Sequence, residues 1–458
     1  MLRQFYAVEA KVSAFKQGRD VHSIIYKVLP FAIFRGRTFI DTAGLLALLL
    51  LYTSNAFHFE IHETYSFYRE QFGIFFLVLS FWYLLTRTRD MGLTSLRMNR
   101  ALFFLLLFPF MLSLWSFIDP GVPLYGESGL SGTTEQLGGA VGFTLYVLRN
   151  ALLYLPMVLY VHLRGLNRQE IRIIALVAIL VAPFSINAYL ESEEIATIAT
   201  MGLLGETGGR GVAYNTYVPF LTFSALCGIY LLFSRTIYLI RILVLPCLAV
   251  VVIFCLLSTS RQSILYIIAA LGTFLYLTKH GGRSKGRWLN LILVVLISLV
   301  AFSYIIEGYD LGDKFLDRFG RVDGFIDDDG GRLDLAINGL LMLNPLQWFT
   351  GAGLTSIINS GPHNDYVRWS QRVGIPLMAI GFMPFIIAFR ASFRIALLSR
   401  SENTLAIFIT LAVGFTLFHS FFGYPREEVN QALAVYLGLA IWFGAVRDGL
   451  FISTSRAL

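Results

Sequence analysis

The 458-residue chain is short of charge. Asp, Glu, Lys and Arg make up 14% of it, against about 25% in a soluble domain whose surface must be hydrated. With 56% hydrophobic residues and a mean hydropathy of +0.67, a soluble globular protein of this size is excluded, and so is a disordered chain. The net charge of +7 and the pI near 9.2 do not make a nucleic-acid binder of the usual basic kind, and no nucleic-acid partner is expected. Cysteine is scarce too. Cys227, Cys247 and Cys255 all lie in apolar runs, with neither metal-ligand spacing nor a disulfide framework. No cleavable signal precedes the first apolar run, which reads as an uncleaved anchor.

What the chain does have is apolar runs of membrane-crossing length. About 20 mostly apolar residues cover a ~30 Å hydrocarbon core. Twelve runs qualify or nearly so: 39–57, 71–86, 101–118, 138–162, 171–189, 214–233, 242–257, 262–278, 288–306, 373–389, 404–422 and 431–446. The expected fold is all-α and polytopic. Residues 1–38 form an N-terminal cytoplasmic or interfacial segment. Spans one to nine occupy 39–306, a long external loop 307–372, spans ten to twelve 373–446, and a tail 447–458.

Lys and Arg set orientation across a bilayer. Alternate connections counted from the N-terminus carry 25 of the 36 Lys and Arg, whereas most of the acids fall on the other set. This predicts cytoplasmic termini and an external face that bears the long loop.

Four features on that face stand out. Gly208-Gly209-Arg210-Gly211 precedes Asn215 at the head of the sixth span. Ser258-Thr259-Ser260-Arg261-Gln262 occupies a connection too short to leave the membrane surface. Gly330-Gly331-Arg332 opens a stretch, 332–343, whose Leu333, Ile337, Leu340 and Leu341 share one helical face, ended by Pro345, before Gly351-Ala352-Gly353. Gly361-Pro362-His363-Asn364-Asp365 precedes a second short helix, 364–372, that runs into the tenth span.

Glycine beside arginine allows close backbone approach and leaves the guanidinium unshielded. The guanidinium fork donates two parallel hydrogen bonds to phosphate oxygens. His363, the only histidine of the long loop, titrates near neutrality and suits proton transfer.

Each feature also has a plainer reading. Arg210 alone reads as a solvated residue or headgroup anchor. Arg332 has Asp334 and the preceding acids as partners, and His363 is placed to cap a helix. Asp327-Asp328-Asp329 reads as a solvated turn, and no metal site or cofactor is expected. Arg261 and Arg149 lie where an unpaired charge is costly and functional by default, although Arg149 has length enough to snorkel. Tyr366, Trp369 and Trp348 suit either sugar stacking or interface anchoring.

The order of these features resembles the O-antigen polymerase and ligase superfamily, with Wzy-type polymerases and WaaL-type ligases as its members. The stretches that carry the resemblance are GGRLDLAINGLLMLNPLQWFTGAGL and, after eight intervening residues, HNDYVRWSQRVGIPL, within roughly 200–390. Two departures are visible. Asn215 stands in Tyr-Asn-Thr where many relatives have Pro-Asn, and no second histidine adjoins His363.

The resemblance implies a GT-C-like helical fold and an undecaprenyl-diphosphate-linked glycan as donor. It implies catalytic roles for His363, Arg332, Arg261 and Arg210. Arg149, Asn215, Ser260, Asn364, Tyr366 and Trp369 are the expected substrate-binding residues. The expected acceptor is a second lipid-linked repeat unit, or lipid A–core for a ligase. A chain-length regulator and a flippase are expected partners. A transporter or flippase is the other class to weigh, but no internal repeat is visible and the polar features are interfacial.

Overall fold

The computed structural model describes residues 38–57, 62–91, 100–118, 154–192, 214–234, 238–257, 261–279, 292, 295–300, 302–304, 307, 332–353, 364–398, 403–421 and 429–450. Among these residues the regular structure is helical and no strand occurs. The helices are α1 Phe39–Ala56, α2 His62–Met91, α3 Arg100–Ile118, α4 Arg168–Ser192, α5 Tyr214–Phe233 and α6 Tyr238–Leu257. They continue with α7 Arg261–Lys279, α8 Arg332–Leu341, α9 Gln347–Thr350, α10 Asp365–Leu398, α11 Asn403–His419 and α12 Val429–Arg447. Residues 154–164 are helical as well. The chain divides into two compact units, 1–47 and 48–458.

Within the first unit the start of α1 explains an acid at the head of an apolar run. The Asp41 carboxylate accepts from the Thr38 backbone N–H at 2.8 Å and from its hydroxyl at 3.0 Å. The Asp41 N–H in turn donates to Thr38 Oγ1 at 3.2 Å. This reciprocal pair satisfies donors that a helix start leaves open.

In the second unit α10 packs on α11 and α3. Helix α5 lies centrally and touches α4, α6, α7, α11 and α12. Long side chains with a polar tip tie helices together by reaching backbone or hydroxyl oxygens. Tyr266 Oη donates to the Leu411 carbonyl at 2.6 Å, and Tyr52 Oη lies 2.8 Å from Ser224 Oγ. An apolar cluster of Phe108, Leu112, Trp369, Val373 and Leu377 joins α3 to the first half of α10.

Four helices are long and apolar enough to cross a bilayer: Phe39–Ala56, Arg168–Ala188, Leu239–Leu256 and Asp365–Leu398. Apolar stretches of other helices cover Gln71–Thr86, Arg100–Trp115, Pro219–Phe233, Ser263–Leu277, Thr404–His419 and Ala432–Arg447. The chain is therefore a helical integral membrane protein, with four candidate spans among the described residues. Most of the expected spans 138–162 and 288–306 lies outside the described residues.

Candidate functional site

Side-chain contacts fix which helix ends share one end of the second unit. Phe233, last in α5, stacks on Phe274 near the end of α7, with ring centroids 5.3 Å apart. The two helices therefore run the same way, and their starts lie at the same end. Tyr266, early in α7, touches Phe415 late in α11, at 4.9 Å between centroids. Helix α11 thus runs the other way and finishes there. Its last turn meets α10, whose Asp365 N–H donates to the Ser420 carbonyl at 2.7 Å.

One end thus gathers the starts of α5, α7 and α10 and the finish of α11. Asn215 is the second residue of α5 and Arg261 the first of α7. Arg332 is the first residue of α8, which packs on the opening segment of α10. Each helix start carries a partial positive charge on its open N–H groups, so three of them at one end favour an anion there.

The opening segment of α10 is held by an unusual clasp. Gly374 interrupts the helix at φ 79°, ψ 163°, in a region that L side chains avoid. A Cβ there would overlap the backbone carbonyl of Phe349, and a Cβ on Gly351 (φ 72°) would overlap the backbone of Arg372 and Val373. Two glycines thus let the α9 turn and the α10 kink interlock backbone to backbone. The Ala352 N–H donates to the Gln371 carbonyl at 2.7 Å, and the Gly353 N–H to that of Arg372 at 3.3 Å. Gln371 Nε2 donates to the Gly339 carbonyl of α8 at 2.8 Å. Gly351-Ala352-Gly353 is therefore a structural fastening, which fixes the direction of residues 365–373.

That segment carries three residues expected to bind substrate. Asn364 Oδ1 accepts from the Val367 N–H at 3.1 Å, so it caps α10. Its amide nitrogen takes no part in that cap. Tyr366 donates through Oη to the Leu417 carbonyl at 2.8 Å. Its ring packs between Phe382 and Phe421, at 4.2 and 4.7 Å between centroids. Trp369 is 1% exposed, with Phe108 edge-on at 5.5 Å and the Arg372 guanidinium 5.8 Å from its ring centre. The Trp369 ring is thus enclosed by helix packing, whereas Tyr366 is only partly buried.

Of the remaining expected residues, the backbone of Asn215, Arg261 and Arg332 is placed as above. Arg149, Arg210, Ser260 and His363 lie outside the described residues. In the chain Ser260 directly precedes Arg261, and His363 directly precedes the Asn364 cap.

Beside Asp365, already part of the fourth motif, the structure adds polar groups that motif reading passed over. Asp365 and Arg372 are fully buried, and Gln371 and His419 nearly so. They lie in the opening segment of α10 and the last turn of α11. His419 stacks in parallel on Phe415, 5.5 Å between centroids. A signal existed for it, since it is the one histidine in the apolar run 404–422, and ionisable residues inside spans are functional by default.

The opposite end has a different character. Arg164 Nη2 lies 2.6 Å from Glu170 Oε1, with both side chains 1% exposed. Glu170 and Asn167 cap each other, each accepting from the other's backbone N–H at 2.9 Å. The Leu166 N–H donates to the Gly444 carbonyl at 3.0 Å, and Arg241 Nη2 donates to the Ser234 carbonyl at 3.0 Å. These arginines close helix ends. Glu170→Gln removes one partner of a buried ion pair and is expected to cost about 3–5 kcal/mol. A lowered melting temperature in detergent, with transfer chemistry intact at low temperature, checks this.

Residues 246–382 match the family model described as O-antigen ligase. The matched stretch is under a third of the chain, and it includes Ser260, Arg261, Arg332, His363, Asn364, Tyr366 and Trp369. No curated protein matches the chain.

Proposed function

We propose that this protein is a glycosyltransferase that takes a glycan from a polyprenyl diphosphate and joins it to the non-reducing end of a second lipid-linked repeat unit. The observation that carries the reading is the meeting of three helix starts at one end, with Asn215, Arg261 and the Asn364 cap on them and Arg332 on the helix packed beside them. A lipid-linked pyrophosphate sits at the membrane surface, where such an end lies.

The reaction is an in-line displacement. The acceptor oxygen forms a bond to the anomeric carbon while the carbon–oxygen bond to phosphate breaks, inverting that centre. His363 accepts the hydroxyl proton as general base. The diphosphate leaves with the bonding electron pair, and its growing charge is met by Arg210, Arg261, Arg332 and the helix-start N–H groups. Fixed dipoles and guanidinium groups in a partly dry site carry this stabilisation. Arg149, Ser260, Asn215 and the Asn364 amide hold the donor. Tyr366 and Trp369 act indirectly, by fixing the segment behind Asn364. The site faces the periplasm, the termini face the cytoplasm, and the protein resides in the inner membrane with a flippase and a chain-length regulator as partners.

A second reading is ligation of the glycan to lipid A–core, which the O-antigen ligase description of the matched family favours. Purified protein in bilayers, given only lipid-linked repeat units, is expected to produce a ladder of longer chains. Product only after addition of a core acceptor would overturn polymerisation in favour of ligation. Arg261→Lys and Arg332→Lys keep the charge but lose the bidentate fork, and each is expected to slow transfer at least about tenfold, equivalent to ~1.4 kcal/mol. Unchanged rates in both would remove the pyrophosphate clamp.

A further inference from the structure

Helices α8 and α9 and the turn between them expose an apolar surface that the other described residues leave uncovered. Leu341, Leu346 and Phe349 are each 71% exposed, and Ile337 and Met342 are exposed as well. The opposite face is docked. Gly339 meets Gln371 and Val367, Leu343 is buried, and α9 meets the α10 kink. The hairpin is well formed. Asn344 and Gln347 cap each other at 2.8 and 3.0 Å, and Trp348 Nε1 donates to the Leu343 carbonyl at 3.1 Å. The exposed side chains therefore sit on an ordered support.

Three observations identify the occupant of this surface. The first is level. The apolar run of α10 extends from the Gly374 kink to Phe389, with Arg372 before it and Arg390 after it, and so lies in the hydrocarbon core. The kink thus marks one edge of that core, and α9 abuts the kink directly. The second is continuity, because α10 itself exposes Met383 and Ile386 beyond the kink, as a lipid-facing span does. The third is charge. Residues 335–364 contain no Asp, Glu, Lys or Arg, so the hairpin offers little of the polar rim typical of a protein interface.

We propose that the α8–α9 hairpin is a membrane-surface element. Its Ile337, Leu341, Met342, Leu346 and Phe349 face lies among the acyl chains of the leaflet in which α10 begins. An apolar helix face at this boundary buries itself a few Å into the lipid, and Trp348 suits the headgroup level. The long connection is thus partly embedded. Its consequence for the site is depth: the α10 opening segment is clasped to an element held at the lipid surface. This inference rests only on the chain being an integral membrane protein. Absence of glycan transfer would leave it standing.

Photolabelling of the unsubstituted protein tests it. The chain is reconstituted in phosphatidylglycerol–phosphatidylethanolamine bilayers that contain a lipid with a diazirine in its acyl chain, then irradiated and mapped by peptide. Label at 346–349 within about threefold of that at Met383 and Ile386 is the expected result. Label at Met383 and Ile386 with none at 337–349 would overturn the proposal. A Leu346→Cys variant that forms a disulfide-linked dimer in the same bilayers would also overturn it, by assigning the face to a second copy.

Discussion

Replacing His363 by alanine is expected to lower glycan transfer by about 10²–10⁴-fold, the usual worth of a positioned general base, with membrane insertion and thermal stability unchanged. His363 directly precedes the Asn364 cap, at the end where α5, α7 and α10 begin. A second imidazole, His419, belongs to that end but is 2% exposed and stacked on Phe415. It is sealed from a carbohydrate hydroxyl, so it cannot take over. The measurement is the initial rate of chain lengthening by purified His363→Ala in bilayers, across pH 5–9. A rate within twofold of the parent would remove His363 from the chemistry.

Gly374→Val is expected to be the most damaging change outside the reacting groups. It forces a side chain into φ 79°, ψ 163°, at about 1–3 kcal/mol. It also drives Cβ into the Phe349 carbonyl, where overpacking adds roughly 1–3 kcal/mol. Because α9 and the α10 opening segment interlock at this point, relief of the overlap moves Asn364 and the residues before it. Both melting temperature and transfer rate should therefore fall. Gly272→Ala in α7 is the matched control, since a Cβ there meets nothing within 4 Å. It should be neutral or stabilise slightly, as alanine outranks glycine in a helix by about 1 kcal/mol. Equal effects of the two changes would show that the clasp carries no special constraint.

The helical membrane architecture was legible in composition and apolar run length, because hydropathy reports directly on the solvent a segment needs. Several ends were legible too. The break between the short helix 364–372 and the tenth span falls at Gly374, and Pro345 follows α8 closely. Helices α5 (Tyr214–Phe233) and α7 (Arg261–Lys279) cover the expected spans 214–233 and 262–278.

The site was legible as motifs and not as packing. Arg261, Arg332 and Asn364 could be singled out because glycine, arginine and amide residues at helix starts have a local chemical logic. The fastening role of Gly351-Ala352-Gly353 was not, because it depends on backbone carbonyls far along the chain, at Gln371 and Arg372. The packing of Tyr366 and Trp369 was hidden for the same reason. Their partners Leu417, Phe382, Phe421 and Phe108 come from other turns and other helices. The outward apolar face of α8 also inverted a simple reading. The periodicity of Ile337 and Leu341 correctly marked a face, but lipid and protein interior select the same side chains.

The most direct test is a structure of the protein in lipid nanodiscs with undecaprenyl diphosphate bound. The diphosphate is expected at the end where α5, α7 and α10 begin, with its oxygens about 3 Å from the Arg261 and Arg332 guanidinium groups and His363 on the side of the departing sugar. A diphosphate bound at the opposite end, beside Arg164 and Glu170, or one that touches neither Arg261 nor Arg332, would contradict the account.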